Sequence, residues 1–123
     1  MMGAMIGRLE TVVLDTREPL RLARFYAELL GAKITTERPD WVTITDDAGR
    51  KLSFQTSPEH APPRFPDPAG AQQFHLDVRV DDVAAAERQV LELGATRVPE
   101  ADEDGEFRVY RDPAGHPFCL VWD

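Results

Sequence analysis

Residues 9–31 read LETVVLDTREPLRLARFYAELLG, and this stretch decides the fold. Leu9–Asp15 is rich in β-branched side chains, which crowd a helix but suit a pleated surface, so it predicts a strand. Beyond TREP, Leu22, Phe25, Tyr26, Leu29 and Leu30 recur at the three- and four-residue spacing that gives a helix one apolar face. Pro19 suits the first helical turn, where a backbone N–H lacks a partner anyway. Gly31 suits the residue that closes the last turn.

Working outward, KITTE (33–37), WVTIT (41–45) and KLSFQ (51–55) predict three short strands separated by the turn signals RPD and DDAGR. The first half is thus βαβββ, and the second half repeats that order. QFHLDVRV (73–80) predicts a strand, and DDVAAAERQVLEL (81–93) a helix capped by Asp81 or Asp82 and stopped by Gly94. ATRV, EFRVY and PFCLVW follow as strands. Gly31 and Gly94 lie 63 positions apart, Thr11 and His75 64, and the turn glycines Gly49 and Gly115 66. Such a steady offset points to a duplicated unit. The expected fold class is α+β, with paired βαβββ modules forming a cupped mixed sheet and helices on its outer face. The modules are expected at 8–56 and 73–123, joined by a Pro-rich connector at 57–72, together making one domain. Five of the ten prolines fall between residues 56 and 72, so the connector is expected to be a semi-rigid strap.

The chain has 123 residues, 42% of them hydrophobic, enough for a core without staples. Twenty-two acidic residues against fourteen basic ones give a net charge of −8, which repels phosphate backbones and anionic membrane surfaces and attracts cations. No nucleic-acid or membrane partner is expected. Cys119 is the one cysteine, so no intrachain disulfide forms, and the setting expected is cytoplasmic. The opening MMGAMIG lacks a basic start and is too short for a secretory leader, and no run nears the roughly 20 apolar residues of a membrane span. The acidic PEADEDGE loop is expected to be solvated.

Side chains alternate across a strand, so each strand divides into two sets. Val12, Leu14, Val42, Ile44, Leu52, Phe54, Leu76, Val78, Val80, Phe107, Val109, Phe118, Leu120 and Trp122 form an apolar set that should meet the helices. The opposite set holds Thr11, Val13, Asp15, Trp41, Thr43, Ser53, Gln55, His75, Asp77, Arg108, Tyr110, Cys119 and Val121. A plain solvent face would favour Lys and Glu. This mixture of aromatic, small and ionisable groups fits a concave face lining a ligand cavity. The cavity residues expected are Thr11, Trp41, Ser53, Gln55, His75, Asp77, Tyr110 and Cys119. His75, whose ordinary pKa is near 6.5, is the candidate acid–base group, with Asp77 as its neighbour. His60 and His116 are expected at the surface, and Cys119 as an inert packing residue.

The paired modules, the RFYAELLG helix, the HLDVRVDDVAAAE opening of the second half and the DPAGHPFCLV ending resemble the vicinal oxygen chelate superfamily. Within it the chain is similar to glyoxalase-like and bleomycin-resistance-like proteins. The similarity runs from about Leu9 to Trp122. The resemblance implies four metal-ligand positions, ordinarily His and carboxylate, which fall here on Thr11, Ser53, His75 and Cys119. Only His75 has the usual type. A divalent ion in such a site needs about three strong protein donors. The expectation is therefore a small-molecule binding protein without a metal or other cofactor, taking a cationic or aromatic ligand. The alternative is a metal-dependent lyase, isomerase or dioxygenase using His75. The resemblance further implies a homodimer with two equivalent cavities, each involving Gln55, His75 and Cys119, with Trp41 and Phe65 in the buried interface.

Overall fold

The computed structural model describes residues 6–70, 72–101 and 107–122. The first residues of the MMGAMIG segment and most of the acidic loop, at 102–106, lie outside the described residues. Strand β1 (Val12–Thr16) leads into helix α1 (Pro19–Leu30), followed by β2 (Lys33–Arg38), β3 (Trp41–Thr45) and β4 (Lys51–Thr56). The second unit runs β5 (Leu76–Arg79), α2 (Val83–Glu92), β6 (Thr96–Arg97), a short 3-10 turn at Pro99–Ala101, β7 (Phe107–Arg111) and β8 (Pro117–Val121).

Helix α1 has the bounds its sequence predicts. Thr16 Oγ1 accepts the Glu18 N–H at 3.2 Å just before the helix. Pro19 opens it, and Gly31 closes it with φ +64°, a left-handed conformation that costs glycine little. In α2 the cap is Asp82, whose side chain accepts the Ala85 N–H at 3.1 Å.

Each unit forms a four-stranded sheet of the same order, β1-β4-β3-β2 and β5-β8-β7-β6, with the two outer left strands parallel to their neighbours and the other pairs antiparallel. The expected α+β class of paired modules holds, with the strands in two four-stranded mixed sheets accompanied by two helices. Leu14, Val42, Ile44 and Phe54 meet Leu22, Phe25 and Tyr26 of α1 in one core that also takes in Phe118, Leu120 and Val90 of the second unit. An aromatic seam crosses between the units. Tyr26 stacks on Phe54 at 5.8 Å and meets Phe118 edge-on at 6.2 Å, while Phe25 lies 5.8 Å from the Phe118 ring. Neither unit closes its core alone, because α1 lends aromatic surface to both sheets.

Three expectations about the faces are corrected. Tyr110, expected in the cavity, is fully buried in the core, stacked on Phe118 at 5.4 Å and donating its hydroxyl to Glu87 of α2 at 2.8 Å. Conversely, Phe107 and Val109 face away from that core and pack with Cys119 and Val121. The cause is register: Tyr110 pairs with Phe118 and Val109 with Cys119, and directly paired residues share a face. Val12, expected in the core, is exposed on β1.

Candidate functional site

The second sheet builds a cup. In β5 and β8 the parallel register sets Asp77 beside Cys119 and Arg79 beside Val121. Pleating then sends His75, Asp77, Arg79, Cys119 and Val121 to the face opposite the helices, where Phe107 and Val109 join them from β7. The cavity is about 1030 Å³, and its rim includes Asp67, Glu100 and Trp122.

The proline strap forms the far wall. Phe65 is buried against Val98, Val109 and Cys119. It was expected at a dimer interface, but its partners lie within the chain. Arg111 holds it there, with the guanidinium 4.0 Å over the Phe65 ring. The same guanidinium donates to the Pro63, Phe65 and Gly115 carbonyls, each at 3.1 Å. A planar cation with several fixed donors suits this bridging, which lysine would not reproduce.

Inside the cup, His75 Nε2 lies 3.1 Å from Asp77 Oδ1, with their side chains 38% and 58% exposed. Cys119 is buried beside them. One ligand-capable atom from each of the three lies within 4.8 Å of the others. These are the expected cavity residues that the fold brings together.

The remaining ones are elsewhere. Thr11, Trp41 and Ser53 line a separate hollow of about 330 Å³ on the first sheet. There they form a closed hydroxyl relay. Ser53 Oγ is 2.9 Å from Thr11 Oγ1 and 2.8 Å from Thr43 Oγ1, which also accepts the Trp41 indole N–H at 2.9 Å. Gln55 is exposed and pairs with Asp15 and Trp41 in its own sheet. The four positions that the resemblance marks as metal ligands therefore do not form one site within the chain. Two are hydroxyls already bonded to each other, and neutral hydroxyls are poor substitutes for His or carboxylate. The residues present do not fit a centre of that type.

Sequence reading also missed the histidine pair. His60 and His116, expected simply at the surface, have ring centroids 4.8 Å apart. Their Nε2 atoms reach the Ala114 carbonyl at 3.1 Å and the Asp15 carbonyl at 2.6 Å. A carbonyl only accepts, so each Nε2 carries a proton. This pair ties the strap and the second unit's turn to β1. Arg79 was legible as an ionisable residue only, and Trp122, expected in the apolar set that meets the helices, instead lines the cup, because β8 ends at Val121 and its alternation does not extend to the next residue.

The sequence model of the glyoxalase-like domain family matches residues 11–121. No curated protein sequence matches. Among solved structures, a possible glyoxalase from Bacillus cereus superposes with TM-score 0.70 at 15% identity, covering 95% of this chain and 99% of that one. A glyoxalase/bleomycin resistance protein/dioxygenase family enzyme from Burkholderia phytofirmans PsJN gives 0.69 at 18% identity, covering 91% and 95%. Fosfomycin resistance protein FosX from Mesorhizobium loti gives 0.69 at 17% identity, covering 95% and 92%. At these identities the likeness is one of fold.

Proposed function

The chain belongs to the glyoxalase-like domain family, and from that premise we propose that it binds a small aromatic or cationic molecule in the cup of its second sheet, without the family-type metal centre. The observation that carries this is the lining. Phe65, Phe107 and Trp122 offer flat apolar surface, and three carboxylates (Asp67, Asp77, Glu100) face one guanidinium, Arg79. Such a wall favours a ring bearing positive charge. Cys119 as a lone thiol suits a reducing, cytoplasmic setting.

A thermal-shift screen of aromatic cations against matched aromatic anions tests it. A ligand at a hundred times its dissociation constant stabilises the fold by about 2.7 kcal/mol. Cations should raise Tm, anions should not, and Trp122→Ala should weaken the effect. No shift with any cation, or equal shifts with anions, sinks the proposal.

The second reading is a metal-dependent lyase, isomerase or dioxygenase using His75. The approach of His75, Asp77 and Cys119 supports it. It requires an activity lost both with chelator and in His75→Ala.

We propose a homodimer as the assembled form. Strands β1 and β5 are both sheet edges, and Val12, Val13 and a 91% exposed Phe74 flank a groove of about 720 Å³ beside them. A second copy would cover this apolar edge. A monomer mass by light scattering at micromolar protein would count against it.

A further inference from the structure

We propose that the cup of the second sheet captures planar aromatic enones by conjugate addition of the Cys119 thiol, with His75 taking and returning the proton and Asp77 holding His75 in place. This deepens the ligand-binding reading and rests on it, adding a substrate class and a reaction.

Three observations place the groups. Asp77 pairs with Cys119 across the parallel β5–β8 ladder, and His75 precedes Asp77 by two positions on the same face. His75 Nε2 stands 3.1 Å from Asp77 Oδ1. One side-chain atom from each of the three lies within 4.8 Å of the others. A nucleophile, a base and a carboxylate that orients the base form the arrangement that activates a thiol. Cys119 is fixed in the middle of β8, whereas His75 has the rotamer freedom to close the remaining gap.

The thiolate is the reacting species, and the addition balances without a co-reactant. The Sγ proton passes to His75 as sulfur bonds the β-carbon of the acceptor. The π pair of the C=C bond moves onto the carbonyl oxygen, and His75 then returns the proton to the α-carbon. Asp77 stabilises the imidazolium that exists between the two transfers. Arg79 puts positive charge into the same cup, where the enolate oxygen forms. Phe65, Phe107 and Trp122 give the planar acceptor flat apolar walls. Cys119 lines the cavity although it is only 4% exposed. A reagent in bulk water therefore meets the thiol little, and a molecule seated in the cup meets it directly.

Cys119 is the one cysteine, so a single adduct followed by mass spectrometry reports this thiol. The probes are N-phenylmaleimide and N-methylmaleimide, with glutathione as the reference thiol. In the unaltered protein the labelling rate should saturate with N-phenylmaleimide. Its advantage over N-methylmaleimide should exceed that seen with glutathione about tenfold, through contact with the ring. His75→Gln should lower the limiting rate about a hundredfold, as loss of a general base does, and leave the half-saturating concentration unchanged. Asp77→Asn should lower the limiting rate less, again without moving half-saturation, which marks positioning of the base and not binding. A thiol labelled only after unfolding overturns the proposal. So does labelling linear in reagent with glutathione's selectivity, or a limiting rate that His75→Gln leaves unchanged. Aromatic cations should still raise the Tm of Cys119→Ala. If they do while the unaltered protein resists labelling, the covalent step fails and the ligand-binding reading stands. If they do not, and labelling fails to saturate, both fall.

Discussion

The turns at residues 46–50 and 112–116 carry the same four hydrogen bonds in opposite surroundings. In the first, the Asp46 N–H donates to the Arg50 carbonyl at 2.9 Å and the Gly49 N–H to the Asp46 carbonyl at 3.0 Å. Asp46 Oδ1 accepts the Ala48 and Arg50 N–H groups at 3.0 and 2.8 Å. In the second, Asp112, Ala114, Gly115 and His116 repeat all four at 2.8 to 3.0 Å. The other carboxylate oxygen differs. That of Asp46 takes the Nε–H of an exposed Arg50 at 2.7 Å. That of Asp112, which is 3% exposed, takes the buried Tyr26 hydroxyl at 2.6 Å. The backbone N–H of Arg50 and then its guanidinium hold the Asp46 carboxyl below its ordinary 3.8. Burial pushes Asp112 above it. Identical local geometry thus yields opposite electrostatics, because hydrogen bonds within five residues are set by the chain itself while solvation is set by what packs on top.

The comparison breaks most visibly at the aspartates. Asp112→Ala should cost about 4 kcal/mol in urea unfolding, since it strands a buried Tyr26 hydroxyl and two turn N–H groups. Asp46→Ala should cost clearly less, because water replaces the lost partners. Equal losses would mean that burial of the second turn adds nothing.

Next come the glycines. Gly49 and Gly115 have φ of +84° and +90°, where an L side chain is strained. A Cβ on Gly49 meets nothing within 4 Å, whereas one on Gly115 would sit 2.5 Å from Cβ of Pro62 in the strap. Gly49→Ala should cost about 1 to 2 kcal/mol from strain alone. Gly115→Ala should cost about 3 kcal/mol as the strap is forced away. Denaturation midpoints of the two variants check this, and a matching pair would show the strap to be loosely seated.

Tyr26→Phe should cost about 2 kcal/mol by removing one hydrogen bond to a buried carboxylate. The smallest effect is the sign of the pH dependence. Asp112 has a raised folded pKa, so its contribution is full below about 3.8 and lost as pH rises through the folded value. Stability relative to Asp112→Asn should therefore fall as pH climbs above 4. Asp46 has a lowered folded pKa, so stability relative to Asp46→Asn should hold above 3.8 and fall as the solution is acidified further. Thermal melts across pH 3 to 6, a range of about one to two units around the ordinary aspartate value, read both slopes. Slopes of the same sign would refute the contrast.

Much of the fold was legible because its signals are local. Helix α1 starts and stops where Pro19 and Gly31 place it, and β3 occupies Trp41–Thr45 as its alternation indicates. FRVYR was not legible. Apolar residues occupy both phases of that strand, so only pairing with Phe118 and Cys119 decides which face Tyr110 and Val109 take. A tyrosine suits either side, since its ring packs in the core while its hydroxyl needs one partner, here Glu87. Phe65 was illegible for a related reason. A strap residue has no periodicity, and its burial depends on Arg111, 46 positions away.

The candidate site divides the same way. That His75, Asp77 and Cys119 share a face follows from strand alternation and from β5 pairing with β8, which the duplicated βαβββ order implies. That Thr11 and Ser53 bond each other follows likewise from β1 pairing with β4, whereas the separation of their hollow from the cup depends on how the two sheets are set against one another. By itself the sequence determined the elements, the duplication, the turn geometry and the donor types, all governed by backbone sterics and hydrogen bonds a few residues long. Only the tertiary structure decided which donors meet, which carboxylate is buried and which face becomes the cup. Those outcomes depend on desolvation and packing between residues 40 to 100 positions apart, and no local pattern encodes such distances.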